Sequence, residues 1–316
     1  MSARELRQMF LPFLILMLAV FMLSGCGGEK AAPKEGGKLK VVATTTMLDD
    51  LSKQIGGAKV DASGLMKAGV DPHLYQASAG DVDALTKADV VVYNGLHLEG
   101  KMGAIFDRLE SQKKELVRIS DGIPKDKVLE FEEDGQTVDD PHIWFSVENW
   151  KIAAKGVADG FSRKDPQNKA YYEENLKKYL AELDALDKEV KSRVAEVPES
   201  ARVLVTAHDA FSYFAHDYGF EVQGVQGVST ESEAGTADIS NLAEFIASRK
   251  IKAIFVESSV PRKTIEALQA AVKAKGFDVV IGGELYSDSL GDSGSPEGTY
   301  IGMYKYNIKT ITEALR

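Results

Sequence analysis

Three of the five histidines in this 316-residue chain lie in short polar turns. His73 lies in GVDPHLYQ, His142 in DDPHIWFS and His208 in VTAHDAF. In the repeated Asp-Pro-His motif, proline fixes the backbone just before the imidazole, and the aspartate can orient the ring or its loop. A lone histidine is more often a structural residue than a ligand, but the repeat favours a shared role. The pattern predicts that these three imidazoles bind a divalent metal ion.

A carboxylate is expected as a fourth ligand, because three neutral imidazoles leave the charge of a dication uncompensated. The segment VVIGGELYSDSLGD offers Glu284, Asp288 and Asp292, of which Asp288 lies in the turn after a predicted strand at residues 279–283. Three imidazoles and one carboxylate suit zinc, manganese or ferrous iron, whereas calcium and magnesium prefer oxygen ligands. The residues alone therefore indicate a site for a transition-metal dication.

The chain that carries these residues alternates short β-branched runs with helical stretches. Residues 41–46 and 88–94 predict buried strands, and residues 47–55 predict the helix after the first of them. This alternation is typical of an α/β fold with mostly parallel sheets, where ligands bind at the carboxyl ends of the strands. Residues 41–57 and 203–219 share a strand, a threonine-containing turn and a helix ending at glycine. We therefore expect two similar α/β lobes that arose by internal duplication.

The longest helical pattern lies between these two repeats. Asp165 and Pro166 are typical of a helix start, apolar residues then recur every three or four positions, and Pro198 ends the pattern. The pattern predicts a helix of about 30 residues, roughly 45 Å long. We interpret it as a rigid rod that joins the lobes, and an ordinary surface helix of a single domain is the alternative. The predicted units are an amino-terminal lobe (residues 39–164), a linking helix (165–197) and a carboxyl-terminal lobe (198–316).

The amino terminus is typical of an exported lipoprotein. Arg4 and Arg7 precede an apolar run at residues 9–23, which is shorter than the roughly 20 residues of a membrane-spanning helix. The run ends in LSGC, which resembles the lipobox of bacterial lipoproteins, and Cys26 is the single cysteine of the chain. We expect cleavage before Cys26, lipidation of its sulfur, and a location at the cell membrane on its extracytoplasmic side. Residues 1–25 are then the signal peptide and 26–38 a flexible, glycine-rich tether.

The net charge of −10 indicates which classes of partner the protein is expected to bind. Nucleic acid is excluded as an expected partner, because a negative surface repels phosphate. The same charge attracts cations, but it also serves solubility. It therefore carries little weight for function.

Seven motifs, spread in order over the mature chain, resemble the metal-specific solute-binding lipoproteins of ABC importers, the TroA-like family. They are DPHLYQ, NGLHLEGKM, DPHIWF, VTAHDAF, FVESSV, GGELYSDSLGD and EGTY. The resemblance implies that His73 and His142 from the first lobe, with His208 and Asp288 from the second, hold the ion between the lobes. It also implies limited hinge motion, and a permease with its ATPase as partners. We further expect a monomer, with Mn²⁺ or Zn²⁺ as cargo and Fe²⁺ as a weaker candidate.

Two details bear on the metal. The acidic segment EFEEDGQTVDD contains no histidine, whereas dedicated zinc carriers of the family often have a histidine-rich loop there. His208 occupies the third ligand position, where many manganese carriers have glutamate. The overall pattern resembles the manganese and TroA-like branch slightly more.

Two other functions were considered. A metal-dependent hydrolase could use a histidine site to activate water, but the chain has no HExxH motif and no evident general base. A four-residue shell suits capture and release better than turnover, so we expect no enzymatic activity. A surface adhesin of the same fold stays open as an additional role.

The lipobox makes a direct prediction. Replacing Cys26 with serine removes the sulfur to be lipidated, so Cys26→Ser should move the protein from the membrane fraction into the soluble fraction. Immunoblotting of fractionated cells measures this. A Ser24→Ala variant, which keeps the cysteine, is the control, and a Cys26→Ser protein that stays with membranes would contradict lipid anchoring.

Overall fold

The computed structural model describes residues 37–133 and 135–316, where strands and helices alternate along most of the chain. The predictions for the signal peptide, Cys26 and nearly all of the tether therefore lie outside the described residues. The strands are β1 (Leu39–Ala43), β2 (Val60–Gly64), β3 (Val90–Tyr93), β4 (Glu115–Arg118), β5 (Glu130–Glu133), β6 (Gln136–Asp139), β7 (Val203–His208), β8 (Glu221–Gln226), β9 (Ala253–Glu257) and β10 (Val280–Leu285). The α-helices are α1 (Thr46–Gly56), α2 (Ala79–Lys87), α3 (Gly103–Ser111), α4 (Val147–Lys164), α5 (Lys169–Val194), α6 (Ser212–Tyr218), α7 (Thr236–Arg249), α8 (Lys263–Ala274) and α9 (Tyr300–Leu315).

The strands before and after α5 share one topology. Before α5, four parallel strands pair in the order β2-β1-β3-β4. After it, β7 pairs with β8 and β9 with β10, both in parallel, and β7 packs alongside β9. β7 and β9 belong to separate hydrogen-bonded pairs, but their proximity gives a spatial order, β8-β7-β9-β10, that resembles the order in the first half. The fold class predicted from the sequence, α/β with mostly parallel sheets, is confirmed.

The two repeated strand-helix units match the predicted pattern closely. β1 ends at Ala43, earlier than predicted, because Thr45 caps α1 by accepting a hydrogen bond from the backbone N–H of Leu48. Both helices end at a glycine with a positive φ, Gly57 after α1 and Gly219 after α6. Glycine adopts this conformation at little steric cost.

Helix α5 is the long helix, although it begins later than predicted. Residues 166–168 form a 3-10 turn, and α5 then runs for 26 residues, about 39 Å at 1.5 Å per residue. Asp165 does not cap the backbone; its carboxylate instead accepts hydrogen bonds from Asn168 and from the hydroxyl of Tyr172, at 2.7 and 2.6 Å. Within the described ranges, no helix combines the length and the apolar composition needed to cross a membrane.

The buried face of α5 contributes to an apolar core shared by both halves of the chain. α5 packs against α1, α4 and α9, and one hydrophobic cluster runs from β1 through α5 to α9. Within it, Trp150 of α4 stacks on Tyr300 of α9 with ring centroids 4.7 Å apart and donates a hydrogen bond to Tyr179 of α5. Lys38–Arg316 form one compact unit. The lobe boundaries at residues 165–197 stay a prediction.

The shared core predicts a large cost for shortening an α5 side chain that faces it. Leu183 is fully buried, so Leu183→Ala should lower the free energy of unfolding by about 2–5 kcal/mol. Urea denaturation followed by circular dichroism measures the difference. Glu182→Ala, at the exposed neighbouring position, should change it by less than about 0.5 kcal/mol. Equal effects of the two substitutions would contradict the assigned buried face.

Candidate metal centre

Four buried side chains converge on one point. His73, His142, His208 and Asp288 each offer one ligand atom, and these four atoms all lie within 4.8 Å of one another. Each of the four residues is at most 4% exposed. Glu284 and Asp292, the other carboxylates considered from the sequence, are exposed and do not belong to the cluster.

The spacing of the ligand atoms matches a single small dication. The Nε2 atom of His142 lies 3.3 Å from Nε2 of both His73 and His208. The carboxylate of Asp288 lies 3.2 Å from Nε2 of His208, 3.4 Å from that of His142 and 3.8 Å from that of His73. Tetrahedral ligands at about 2.0–2.1 Å from a metal are roughly 3.3–3.4 Å apart. The geometry therefore fits a four-coordinate metal at the centre of the cluster.

The carboxylate of Asp288 gives a second, independent test. Both of its oxygens are buried, and neither accepts a hydrogen bond from any residue in the described part of the chain. A buried carboxylate without hydrogen bonds is strongly destabilised, and protein structures rarely contain one. A bound cation would supply the missing partner for these oxygens, so the donor set fits a metal ion.

Parallel-sheet topology positions two of the four residues. His208 is the last residue of β7, and Asp288 follows the carboxyl end of β10 by three residues. The other two lie in connections of the first half, His73 between β2 and α2 and His142 between the β5–β6 hairpin and α4. Each half of the chain thus contributes two residues to the cluster.

Carboxylates orient two of the three imidazoles. Asp140 Oδ1 lies 2.6 Å from Nδ1 of His142, as the Asp-Pro-His motif predicted, and Glu257 Oε2 lies 2.6 Å from Nδ1 of His208. Glu257 also accepts the backbone N–H of His208 at 2.8 Å. His142 Nδ1 is hydrogen-bonded to Asp140, which leaves Nε2 of His142 with its lone pair directed at the cluster centre. The short contact between Nδ1 of His208 and Glu257 Oε2 lacks hydrogen-bond geometry, so Glu257 acts on this ring through its charge and through the backbone N–H. Sequence reasoning left Glu257 unassigned, although its position at the end of β9 was a usable signal.

The Asp-Pro-His motif at residues 71–73 positions its histidine in a different way. Asp71 does not contact the ring of His73; its Oδ1 accepts the backbone N–H of His73 at 2.9 Å, and its Oδ2 accepts the hydroxyl of Thr230 at 2.6 Å. Within the described residues, Nδ1 of His73 has no hydrogen-bond partner. His73 is therefore positioned through its backbone.

The loop that carries His142 is held by many hydrogen bonds. Three tyrosine hydroxyls, one asparagine amide and one indole fix it to the surrounding helices and loops. The bonds run from Tyr213 to Asp140 O (2.8 Å), Tyr300 to Trp144 O (2.7 Å), Tyr304 to Phe145 O (2.7 Å), Asn94 to Pro141 O (2.9 Å) and Trp144 Nε1 to Ser287 O (3.0 Å). The last bond ties this loop to the residue before Asp288.

Electrostatics differ sharply among the three histidines. Burial lowers the pKa of His73 to about 3. Burial also lowers the pKa of His142, but the carboxylates of Asp140 and Asp288 outweigh it and raise this pKa to about 9. For His208, burial is likewise outweighed by Asp288 and Glu257, and its pKa is raised well above the ordinary value. Burial raises the pKa of Asp288, but the nearby His208 and His142 hold it well below its usual range.

An aromatic ring and a cavity lie next to the cluster. Trp144 packs edge-on against the ring of His142, with centroids 5.2 Å apart. His73 lines a cavity of about 580 Å³ together with the exposed His97 and with Lys101 and Glu231. His97 is thus outside the four-residue cluster, as is the exposed His216.

Comparisons with known proteins show the family to which the chain belongs. The family model described as the zinc-uptake complex component A, periplasmic (ZnuA), matches residues 41–314. The chain is 46% identical over 301 residues to the manganese-binding lipoprotein MntA of Bacillus subtilis, covering 95% of this chain and 97% of MntA. It is 48% identical over 302 residues to the zinc-binding protein TroA of Treponema pallidum, covering 95% and 96%.

A solved structure extends the likeness to three dimensions. The structure of periplasmic zinc-binding protein TroA from Treponema pallidum superposes with a TM-score of 0.85 and 49% identity, covering 88% of this chain and 99% of that one. The family match spans most of the chain, including all four clustered residues and both halves of the fold. On this evidence the chain belongs to the ZnuA family of periplasmic metal-uptake components.

Proposed function

We propose that this protein is an extracytoplasmic solute-binding lipoprotein that captures Zn²⁺ or Mn²⁺ and delivers it to the permease of an ABC importer. The observation that carries the proposal is the convergence of three imidazoles on the unsatisfied carboxylate of Asp288. His73, His142, His208 and Asp288 are the proposed ligands. The names of the relatives support the cargo, because TroA is named for zinc and MntA for manganese.

The choice between the two metals rests on chemistry. Spacing of 3.2–3.8 Å between carboxylate and imidazole ligand atoms suits the tetrahedral coordination that zinc adopts. The Irving–Williams order also favours zinc over manganese at a given site. We therefore infer tighter zinc binding in vitro, whereas the cargo in the cell depends also on which metal is available.

We also infer that the protein binds and releases its ion without catalysis. A catalytic zinc site keeps one position open for water, while here four side chains from the protein surround the centre. The ZnuA family consists of uptake components, in accord with a transport role.

The proposed cellular arrangement follows from the same function. A lipid on Cys26 would hold the protein at the outer face of the membrane, and the tether would let a monomer reach the permease and its ATPase. The lobes proposed at residues 39–164 and 198–316 each provide two ligands. Metal held between them can be released by a small relative displacement.

Loss of one proposed ligand should remove the stabilisation that the metal gives. Zinc at 100 times its dissociation constant should stabilise the wild-type protein by about 2.7 kcal/mol and raise its melting temperature. His142→Ala should abolish most of this shift, because it removes one of the four proposed ligands, whose Nε2 lies 3.3 Å from Nε2 of both other histidines. Thermal denaturation with and without zinc or manganese measures it.

His216→Ala is the matched control, since this histidine is exposed and outside the cluster. It should keep the full shift. An unchanged shift in His142→Ala would reject the proposed site. Hydrolysis of generic phosphate or carboxylate esters by the zinc-loaded wild type would reject the non-catalytic function.

Metal affinity should depend steeply on pH. At neutral pH the metal must displace the proton of His142, whose pKa is raised to about 9 by Asp140 and Asp288 against the effect of burial. Apparent affinity should therefore rise roughly tenfold per pH unit for each displaced proton between pH 6.5 and 8.5. Competition with a chelating indicator at several pH values measures the slope, and a flat profile above pH 7 would contradict it.

Protonation of His142 should also make the stability of the metal-free protein depend on pH. Because the pKa of His142 is higher in the folded protein than the ordinary value near 6.5, its proton stabilises the fold fully below about pH 6.5. That contribution is lost as pH rises through about 9. The gain in melting temperature on adding metal should consequently grow across this window.

A further inference from the structure

The four proposed ligands differ in how firmly the chain holds them. His142 lies in the loop fixed by tyrosine hydroxyls, and His208 is part of β7 with both its backbone N–H and its ring against Glu257. His73 instead lies in the segment of residues 65–78, which contains no helix or strand. The position of His73 therefore depends on contacts that this segment makes elsewhere.

Two hydrogen bonds connect the His73 segment to the other half of the chain. The backbone N–H of Gly69 donates to Oγ of Ser289 at 2.9 Å, and Thr230 donates its hydroxyl to Oδ2 of Asp71 at 2.6 Å. Because Oδ1 of Asp71 holds the backbone N–H of His73, one carboxylate links this ligand to the opposite half. Thr230 is 7% exposed and Asp71 is half-buried, so the bond is partly shielded from water.

The segment around Thr230 lies at the mouth of the cluster. Its neighbours Ser229 and Glu231 line the cavity of about 580 Å³ that His73 also lines. Glu231 additionally lies 3.6 Å from Nζ of Lys101, a contact whose side chains are 52% and 35% exposed. An exposed ion pair of this kind contributes little, whereas a partly buried hydrogen bond to a carboxylate is stronger. The Asp71–Thr230 bond is thus the stronger of these two contacts across the mouth.

We propose that Asp71 and Thr230 are positioning residues that control the rate of metal release, by fastening the His73 segment to the opposite half of the chain. This inference rests on the proposed function, because it takes His73 as a metal ligand. Neither residue belongs to the four-residue cluster. Their role is to act on the ion through His73.

The mechanism follows from the geometry. For the ion to leave toward the cavity, Nε2 of His73 must move away from His142 and Asp288. Asp71 lies only two residues away and holds the backbone of His73, so the same movement stretches its bond to Thr230. Breaking that bond adds to the barrier for release. Capture begins with an ion that diffuses into the cavity, so the hydroxyl should affect the association rate much less.

The test measures the rate at which zinc leaves the full-length protein in the presence of excess chelator, by stopped flow. Thr230→Val keeps the shape of the side chain but removes the hydroxyl. It should release zinc roughly tenfold faster, because a hydrogen bond to a charged acceptor is worth at least that factor. Its association rate should stay within about twofold of wild type, because the hydroxyl does not belong to the four-residue cluster and most affinity differences among close variants lie in the dissociation rate.

Two further variants separate the hydroxyl from a general effect on the fold. Thr230→Ser retains the donor and should restore the wild-type rate. Lys101→Met removes the exposed ion pair of the same segment and should also release zinc at the wild-type rate.

The outcomes distinguish the inference from the function that it rests on. An unchanged release rate in Thr230→Val, or a rate in Thr230→Ser as fast as in Thr230→Val, would overturn the positioning role while leaving metal binding intact. A fall in the association rate that accounts for all of the lost affinity would overturn it too. Failure of the wild-type protein to bind zinc or manganese would instead reject the proposed function.

Discussion

A buried carboxylate with no hydrogen-bond donor is the constraint on which the rest of the structure depends. Asp288 is 1% exposed, and in the described chain only imidazole nitrogens lie near its oxygens as possible cationic partners. Burying such a charge costs several kcal/mol unless a positive charge offsets it. A metal ion or protons on His142 and His208 can supply that charge, and they compete for the same nitrogen lone pairs. Under the proposed function, protons and metal would therefore exchange at this site.

Different parts of the fold position the residues around Asp288. The carboxyl ends of β7, β9 and β10 bring His208, Glu257 and Asp288 together, which is where parallel sheets place their ligands. The tyrosine hydroxyls fix the His142 loop, and the shared apolar core beneath α5 holds the two halves against each other. A core that continuous resists a wide opening of the molecule. Under the proposed function, local movement of the His73 segment is therefore a less costly route for the ion than a wide opening.

Sequence reasoning reached the fold class and the converging residues because both depend on local patterns. Alternating strand and helix periodicity predicts a parallel α/β fold, and Asp-Pro-His marks two of the four clustered residues. The choice of Asp288 over Glu284 and Asp292 rested on its place in the turn after the strand and on the family resemblance, and the structure adds that Asp288 alone of the three is buried. That these residues bind metal stays a prediction.

Sequence reasoning missed other features because they depend on contacts between residues that are far apart in the chain or on tertiary packing. The partner of Asp71 is Thr230, 159 residues away, and nothing in either segment indicates the other. Likewise, the start of α5 was misplaced because Asp165 bonds to side chains of its own helix region and does not cap the backbone. Pairings of this kind are decided by tertiary packing.

The two similar strand-helix units differ in a way that connects them. When residues 41–57 are aligned with residues 203–219, Thr46 of the first unit matches His208 of the second. The hydroxyl of Thr46 accepts a hydrogen bond from the backbone N–H of Leu290 at 2.8 Å. His208 of the second unit therefore lies beside the Asp288 carboxylate, while Thr46 of the first unit holds the backbone two residues beyond it. Substitutions at the two positions share one target, so their energetic effects should be non-additive. A substitution at Thr46 or at His208 would therefore change the surroundings of the same Asp288 loop.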